Sequence, residues 1–471
     1  MKKVIWSISL LLFHVATLIA QSSLYTASHS IQTKEWSRDS LRRIQYSDWK
    51  KYTGHTIDQL RGYAAIQLDA TCLYGGDRRV QLKATGFYHT KRIDSVWTVI
   101  DPDGHPFIVS AVNSIRLGKS PLSEQTFLNQ FGTTNKWIAQ TISMLQTAGF
   151  NTAGSWSTTD AIVSYNKSAK EPFAYTTQLG LLAGYIREAI KVDSSRKGHP
   201  AISFILDPAF VSYCDQRAKE LIAIINDTNL FGHFSDNEIA FQHTELDALL
   251  KSCDAQHPTR QLLTDFCNKN QIRLAEITRL QKEQFIALLG DHYFSVASAA
   301  IKKYDANHLY LGSRLHASAK NNPYLIEAAD QYVDIHSINY YGYWEPLDKH
   351  LTEWSMWAKQ PFFITEFYTK AIDSGLPNIS GAGWLVKTQE DRGIHYQNFV
   401  LKLLQSPFCV GWHWFRYQDN DPSDPSADPS NNDSNKGIVT PDYRIHTPLL
   451  NRMNQLNNSK YSIRNFLLKS Q

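Results

Sequence analysis

From about Val96 onward, short apolar runs alternate with longer stretches whose apolar positions recur at helical spacing. That alternation predicts βα units and a parallel sheet. The runs that read as strands lie near residues 107–112, 150–155, 173–178, 230–235, 308–313, 333–339, 361–365 and 408–413. Helical spacing is plain at Tyr396, Phe399, Val400, Leu403 and Leu404, and again at Val211, Cys214, Ala218, Leu221, Ile222 and Ile225. Eight such runs, with no Gly-rich phosphate loop after the first, predict an α/β chain closed into a (β/α)8 TIM barrel rather than an open nucleotide-binding sheet. Residues 239–272 read as an insertion between the fourth strand and its helix.

Ahead of the barrel the texture differs. Residues 21–89 are polar, mixed and without a sustained period, which predicts a short N-terminal appendage lying over the barrel. The stretch VWTVIDPDGHPFIVSAVN predicts a β-hairpin turning at Asp101-Pro102-Asp103-Gly104 and leading into the first barrel strand. Residues 1–20 have Lys2 and Lys3, an apolar stretch and Ala20 as a small cleavage residue, the features of an export signal. The expected organisation is therefore a signal at 1–20, an appendage with its lead-in hairpin at 21–95 and a catalytic barrel at 96–471, exported to the periplasm or secreted. No later segment has the roughly 20 apolar residues that cross a bilayer, so membrane insertion is not expected.

Composition narrows the partners. A formal charge of +4 on 471 residues, with no Lys or Arg run, gives no case for nucleic acid. Twelve Trp and twenty-three Tyr offer flat apolar platforms with polar edges, which suit the faces of sugar rings. Five cysteines, with no C-x-x-C pair, do not make a metal site or a disulfide scaffold, although Cys253 and Cys267 flank a short insertion and could bridge in an oxidising compartment. The run from Asp419 to Gly437 is rich in Asp and Asn but lacks the spacing of an EF-hand loop, so it reads as a solvated loop by the active site rather than a calcium site. No metal or other cofactor is expected.

In a βα barrel the active site lies at the carboxyl ends of the strands. Two of those ends are acidic: LFGHFSDNEIAF places Asp236, Asn237 and Glu238 after the fourth strand, and PFFITEFYTK places Glu366 after the seventh. A carboxylate set in apolar surroundings needs a partner or a task. Pairing with a barrel arginine such as Arg314 or Arg116 is one alternative; glycoside hydrolysis is the other. That reaction takes one carboxylic acid to protonate the leaving oxygen and one carboxylate to attack the anomeric carbon, about 5 to 5.5 Å apart when configuration is retained. At that spacing the charged neighbour would raise the pKa of the acid. Other strand ends supply Asn113, Trp156, Arg314, His316, Asn339, Tyr340, Tyr341, His413, Trp414 and Arg416. Of these, Asn113, Trp156, Arg314, His316, Tyr340, His413 and Trp414, together with Asn237, are the expected substrate-binding residues.

The Asn237-Glu238 dipeptide and Glu366 resemble the acid/base and nucleophile motifs of clan A glycoside hydrolases. More specifically, ATGFYHTKRIDSVWTVIDPDGHPF, FGHFSDNE, YLGSRLH, the EF of ITEFY, QEDRG and VGWHWFRYQD are similar to the β-agarases of glycoside hydrolase family 50. The resemblance runs from about Ala84 to Asp419. It implies Glu238 as acid/base, Asn237 as the residue holding the sugar 2-hydroxyl and Glu366 as nucleophile. The chain departs from the pattern at Tyr368, where a histidine is expected, at Ser235, and in the loop SGLPNISGAGWLVKTQ. The resulting expectation is a retaining, agarase-like hydrolase of β-linked, galactose-containing polysaccharide or oligosaccharide. A clan A hydrolase of another β-glycan, glucan or mannan, and a non-catalytic carbohydrate-binding barrel remain the rival readings.

Overall fold

The computed structural model describes residues 24–40, 43–64, 68–428 and 431–470. The expected export signal at 1–20 lies outside the described residues. Eight strands make one parallel sheet: β1 (Val109–Val112), β2 (Thr152–Ala153), β3 (Ala174–Gln178), β4 (Leu230–Phe234), β5 (Leu309–Tyr310), β6 (His336–Asn339), β7 (Phe362–Phe367) and β8 (Cys409–Trp414). Each falls within two residues of one of the eight expected runs, because a strand buried on both faces is apolar through most of its length. Their order across the sheet is β5-β4-β3-β2-β1-β8-β7-β6. The sheet is curled, and its two outer strands meet just past β5. There Leu315 forms an isolated parallel bridge with Ile338, its N–H donating to the Ser337 carbonyl at 2.7 Å while its own carbonyl accepts from Asn339 N–H at 2.9 Å.

The helices between strands start where the side chains can satisfy free N–H groups. Arg279–Tyr304 follows a Thr278 cap with Gln281 reaching back, and Gln389–Leu404 follows Thr388 with Asp391 doing the same. The insertion at 239–272 folds into two short helices, Glu245–Ser252 and Pro258–Lys269. Cys253 and Cys267, on these helices' ends, are buried and unbridged.

The lead-in hairpin has the expected turn. Val96–Ile100 pairs antiparallel with Pro106–Phe107, the Gly104 N–H donates to the Asp101 carbonyl at 3.0 Å, and Gly104 takes the positive φ of 97° that the turn requires. Val99 and Tyr88 pack with Phe107, Val109, Phe231, Phe363 and Val410, so this hairpin closes the apolar interior at the amino ends of the strands.

The N-terminal segment contains strands that its composition does not announce. His29–Lys34 lies between Lys50–Gly54 and Trp384–Val386, with Thr369–Ala371 beyond, in a four-stranded sheet. Thr33 Oγ1 donates to the Leu385 carbonyl at 3.1 Å, and Trp344 Nε1 donates to the Thr53 carbonyl at 2.7 Å. These strands are short, and besides the nearby pairing with Lys50–Gly54 the strand His29–Lys34 pairs with Trp384–Val386, more than 300 residues away, which a local period does not record.

Candidate active site

Both glutamates sit at the carboxyl ends of their strands and line one cavity of about 420 Å³. Glu366 is the next-to-last residue of β7 and stands opposite Asn339 in the β6–β7 register. Its Oε1 accepts from Arg314 Nη2 at 2.5 Å and its Oε2 from the Tyr341 hydroxyl at 2.5 Å. Arg314 is wholly buried below the cavity, held in a left-handed conformation with φ of 54°, and its Nη2 also donates to the Thr365 carbonyl at 3.1 Å. Burial pushes the Glu366 carboxyl above its ordinary value and the Glu238 charge adds to this, while Arg314 and Tyr341 oppose it.

Glu238 follows a tight exit from β4 and adopts φ of 53°, a conformation costly for a residue with a Cβ. Its N–H donates to the Ser313 carbonyl at 3.2 Å. The preceding Asp236 anchors this exit: it is buried and accepts from Leu182 N–H at 2.7 Å, Ala183 N–H at 3.0 Å and the Tyr293 hydroxyl at 2.8 Å. Burial raises the Asp236 carboxyl to about 6. Glu238 Oε1 accepts from Asn339 Nδ2 at 2.7 Å and lies 3.6 Å from His316 Nδ1. The same Asn339 amide group reaches Asn237 Oδ1 at 3.3 Å, and its carbonyl oxygen accepts from Thr365 Oγ1 at 2.7 Å. One side chain on β6 thus ties the β4 exit to the end of β7.

Of the residues expected to bind substrate, Trp156, Asn237 and His316 line the cavity. Trp156 is 45% exposed, with φ of 67°, so its ring stands at the rim as an open face. Arg314 lies beneath the cavity, against Glu366. Asn113 is buried and spent on the Thr365 carbonyl at 2.7 Å and His413 Nδ1 at 3.2 Å. His413 is itself packed edge-on against Phe363 and Phe234 inside the sheet. Trp414 is turned to the helix layer, its Nε1 donating to the Lys436 carbonyl at 3.0 Å. Tyr340 is likewise in the core, bonded to His350 Nδ1 at 2.9 Å, while its neighbour Tyr341 faces the cavity. These last four lie in the interior and not among the residues lining the cavity: neighbouring residues leaving a strand point to opposite faces, and position at a strand end does not say which face is the cleft.

The rest of the wall comes from the N-terminal segment and from barrel loops. Trp36 and Arg38 come from the N-terminal hairpin, and Tyr368, Arg116, Arg416 and Lys436 come from barrel loops. Arg116 and Arg416 are visible in the sequence as cations near strand ends, and Tyr368 as the residue two past Glu366; Trp36, Arg38 and Lys436 carry no local signal. The 419–437 segment, expected as solvated, is largely buried at its two ends. Asp419 accepts from His446 Nε2 at 2.8 Å and Gly437 N–H at 2.6 Å, and Asp433 from Ile379 N–H at 2.9 Å and Ser380 N–H at 3.0 Å. Asp419 and Asp433 thereby tie the segment to His446 and to the 372–383 loop. Among the described residues the group with metal-ligand spacing is His233, Asp305 and His308, behind the sheet. Each ring nitrogen there already has a partner: Asp305, Thr177 Oγ1 or the Asp227 carbonyl.

Fold and cavity together define the class: an α/β protein whose curled parallel sheet presents two electrostatically coupled carboxylates at its carboxyl edge. Comparison with known proteins points in the same direction. No family model matches the chain. It is 24% identical to "Beta-agarase B" of Vibrio sp. (strain JT0107) over 90% of its own length and 54% of that protein, so it spans about half the length of this relative. The crystal structure of BpGH50 superposes with a TM-score of 0.82 at 27% identity, covering 93% of this chain and 96% of that one. The structure of an exo-beta-agarase superposes with a TM-score of 0.69 at 18% identity, covering 85% and 69%, a likeness of fold alone. Among the described residues no helix is long and apolar enough to cross a membrane.

Proposed function

We propose that the chain is an exported (β/α)8-barrel glycoside hydrolase that cleaves β-linked, galactose-containing polysaccharide or oligosaccharide with retention of configuration. The observation that carries this reading is the shared cavity of Glu238 and Glu366, one carboxylate half-exposed at the mouth and the other buried and clamped by Arg314 and Tyr341. The clamp suits a nucleophile. Two charge-assisted hydrogen bonds hold both Glu366 oxygens and favour the ionised form that must attack the anomeric carbon. Glu238, with Asn339 on one oxygen and the cavity before it, suits the group that protonates the leaving oxygen and then takes a proton from the incoming water. Attack by Glu366, with Glu238 protonating the departing oxygen, gives a glycosyl-enzyme ester; water, giving its proton to Glu238, then attacks from the face the leaving group vacated, opposite the ester, and releases the sugar and the Glu366 carboxylate.

Asn237 beside the acid is placed to hold the sugar hydroxyl next to the reacting carbon, and Trp156 to stack on a ring at the rim. The galactan assignment draws on the relatives, which are called β-agarases. Replacing Glu366 by Ala should abolish turnover without unfolding the protein, and azide should restore it with a glycosyl azide of inverted configuration as product. Near-wild-type activity of Glu366→Ala on a panel of agarose, porphyran, mannan and cellulose oligosaccharides would sink the assignment. Hydrolysis confined to mannan or cellulose on that panel would keep the chemistry and change the substrate.

A further inference from the structure

One wall of the cavity carries more positive charge than the carboxylate pair accounts for. Arg116, Arg416 and Lys436 all line it. Arg416 is 8% exposed and Lys436 2% exposed, and among the described residues none of the three forms an ion pair with a carboxylate within 4.0 Å. What they do have is weaker. Lys436 Nζ lies over the rings of Phe415 and Tyr368 at 5.1 and 5.5 Å, Arg416 Nη1 donates to Asn420 Oδ1 at 2.5 Å with its Nε left unpartnered, and Arg116 Nη2 donates to the Ser426 carbonyl at 3.3 Å. They are also close enough to oppose one another. Besides burial, Arg116 depresses the pKa of Arg416, and Arg416 and Lys370 depress that of Lys436; Asp424, Asp419 and Asp428 act the other way on Arg416, and Asp428 and Glu366 on Lys436, none of them as an ion pair within 4.0 Å among the described residues. Glu366 is itself paired with Arg314, so its charge is shared between that arginine and the wall.

Keeping three adjacent cations half or wholly buried without a carboxylate in ion-pair contact is costly, and the cost falls if an anion enters the site. Lys and Arg are donor-only groups, so a wall built from them fits a group that only accepts. The guanidinium fork matches a planar or tetrahedral oxyanion. We infer that Arg116, Arg416 and Lys436 form a subsite for an anionic substituent, a sulfate ester or a carboxylate, on the sugar bound beside Glu238 and Glu366. This rests on the galactan-hydrolase reading for the sugar, and it makes charged galactans rather than neutral ones the preferred substrates.

Calorimetric titration of the wild-type protein with galactose, galactose 6-sulfate and galacturonate tests it, alongside kcat/KM on neutral and sulfated galactan oligosaccharides of equal length. At least one charged sugar should bind about tenfold or more tightly than galactose, as charge-assisted hydrogen bonds imply, and the preference should shrink with added salt. Sulfate and carboxylate are told apart by which of the two sugars shows it. Lys436→Met should remove most of the preference, and Arg116→Gln, at a half-buried position, should reduce it even if the buried lysine variant folds poorly. Galactose binding as tightly as both charged sugars, no measurable binding of either charged sugar, or a preference unchanged in Arg116→Gln overturns the inference. If no galactan is hydrolysed while the charged sugar is still preferred, the hydrolase reading fails and the subsite stands. If galactan is hydrolysed while neither charged sugar is preferred to galactose, the subsite fails and the hydrolase reading stands.

Discussion

Arg314→Met removes the cation that steadies Glu366, and its effect can be worked from the site. The guanidinium touches Oε1 at 2.5 Å inside a fully buried setting, where burial and the Glu238 charge already push the carboxyl upward. An opposite charge at this range typically lowers a carboxylate by about 1 to 3 pH units. Without it, the acidic limb of the kcat/KM profile should move to higher pH by about that amount, because a larger share of the nucleophile is protonated at any given pH. Each unit is worth about 1.4 kcal/mol, or roughly tenfold in rate on the limb. Stability should follow with a definite sign. A carboxyl whose folded pKa lies above its unfolded value favours the fold when protonated, so this contribution is present at low pH and is lost as pH rises through the folded pKa. The melting-temperature deficit of Arg314→Met should therefore grow as pH rises from the folded pKa of the wild-type carboxyl, itself above the ordinary value, to the higher one of the variant. Arg314→Lys keeps the charge without the fork and should shift the limb less. If Arg314→Met folds and its acidic limb coincides with that of the wild type, the arginine does not control the ionisation of the nucleophile and the reasoning fails.

Two further expectations bear on the acid and on the core. Glu238→Ala should cost about 10²- to 10⁴-fold on natural galactan, the usual worth of general acid catalysis. It should cost far less on aryl glycosides with good leaving groups, so a leaving-group series in which both lose equally contradicts the acid role. His395 is wholly buried, 4.6 Å from Trp344 and packed on Phe399, and burial drives its pKa down to about 3. Its folded pKa lies below the unfolded one, so stability is full above about pH 6.5 and is lost as pH falls toward the folded value, by about 2 to 3 kcal/mol at pH 4.5. Thermal melts of His395→Phe should show a shallower loss between pH 7 and 4.5, and slopes matching the wild type would refute the burial argument.

Local pattern was enough to place every strand of the main sheet, the turn at Asp101–Gly104 and the two acidic strand ends, since a strand buried on both faces, a turn needing Gly104 and a carboxylate amid apolar residues are each written in a few consecutive positions. Which neighbour faces the cavity was not written there: Tyr341 and Tyr340 are adjacent, and only the packing of Tyr340 against His350 and Trp354 turns one inward and the other into the cleft. The same holds for the clamp on Glu366, the Asn339 bridge, the cationic wall and the strand His29–Lys34, because each joins residues remote along the chain, and tertiary contact alone brings them within hydrogen-bond range.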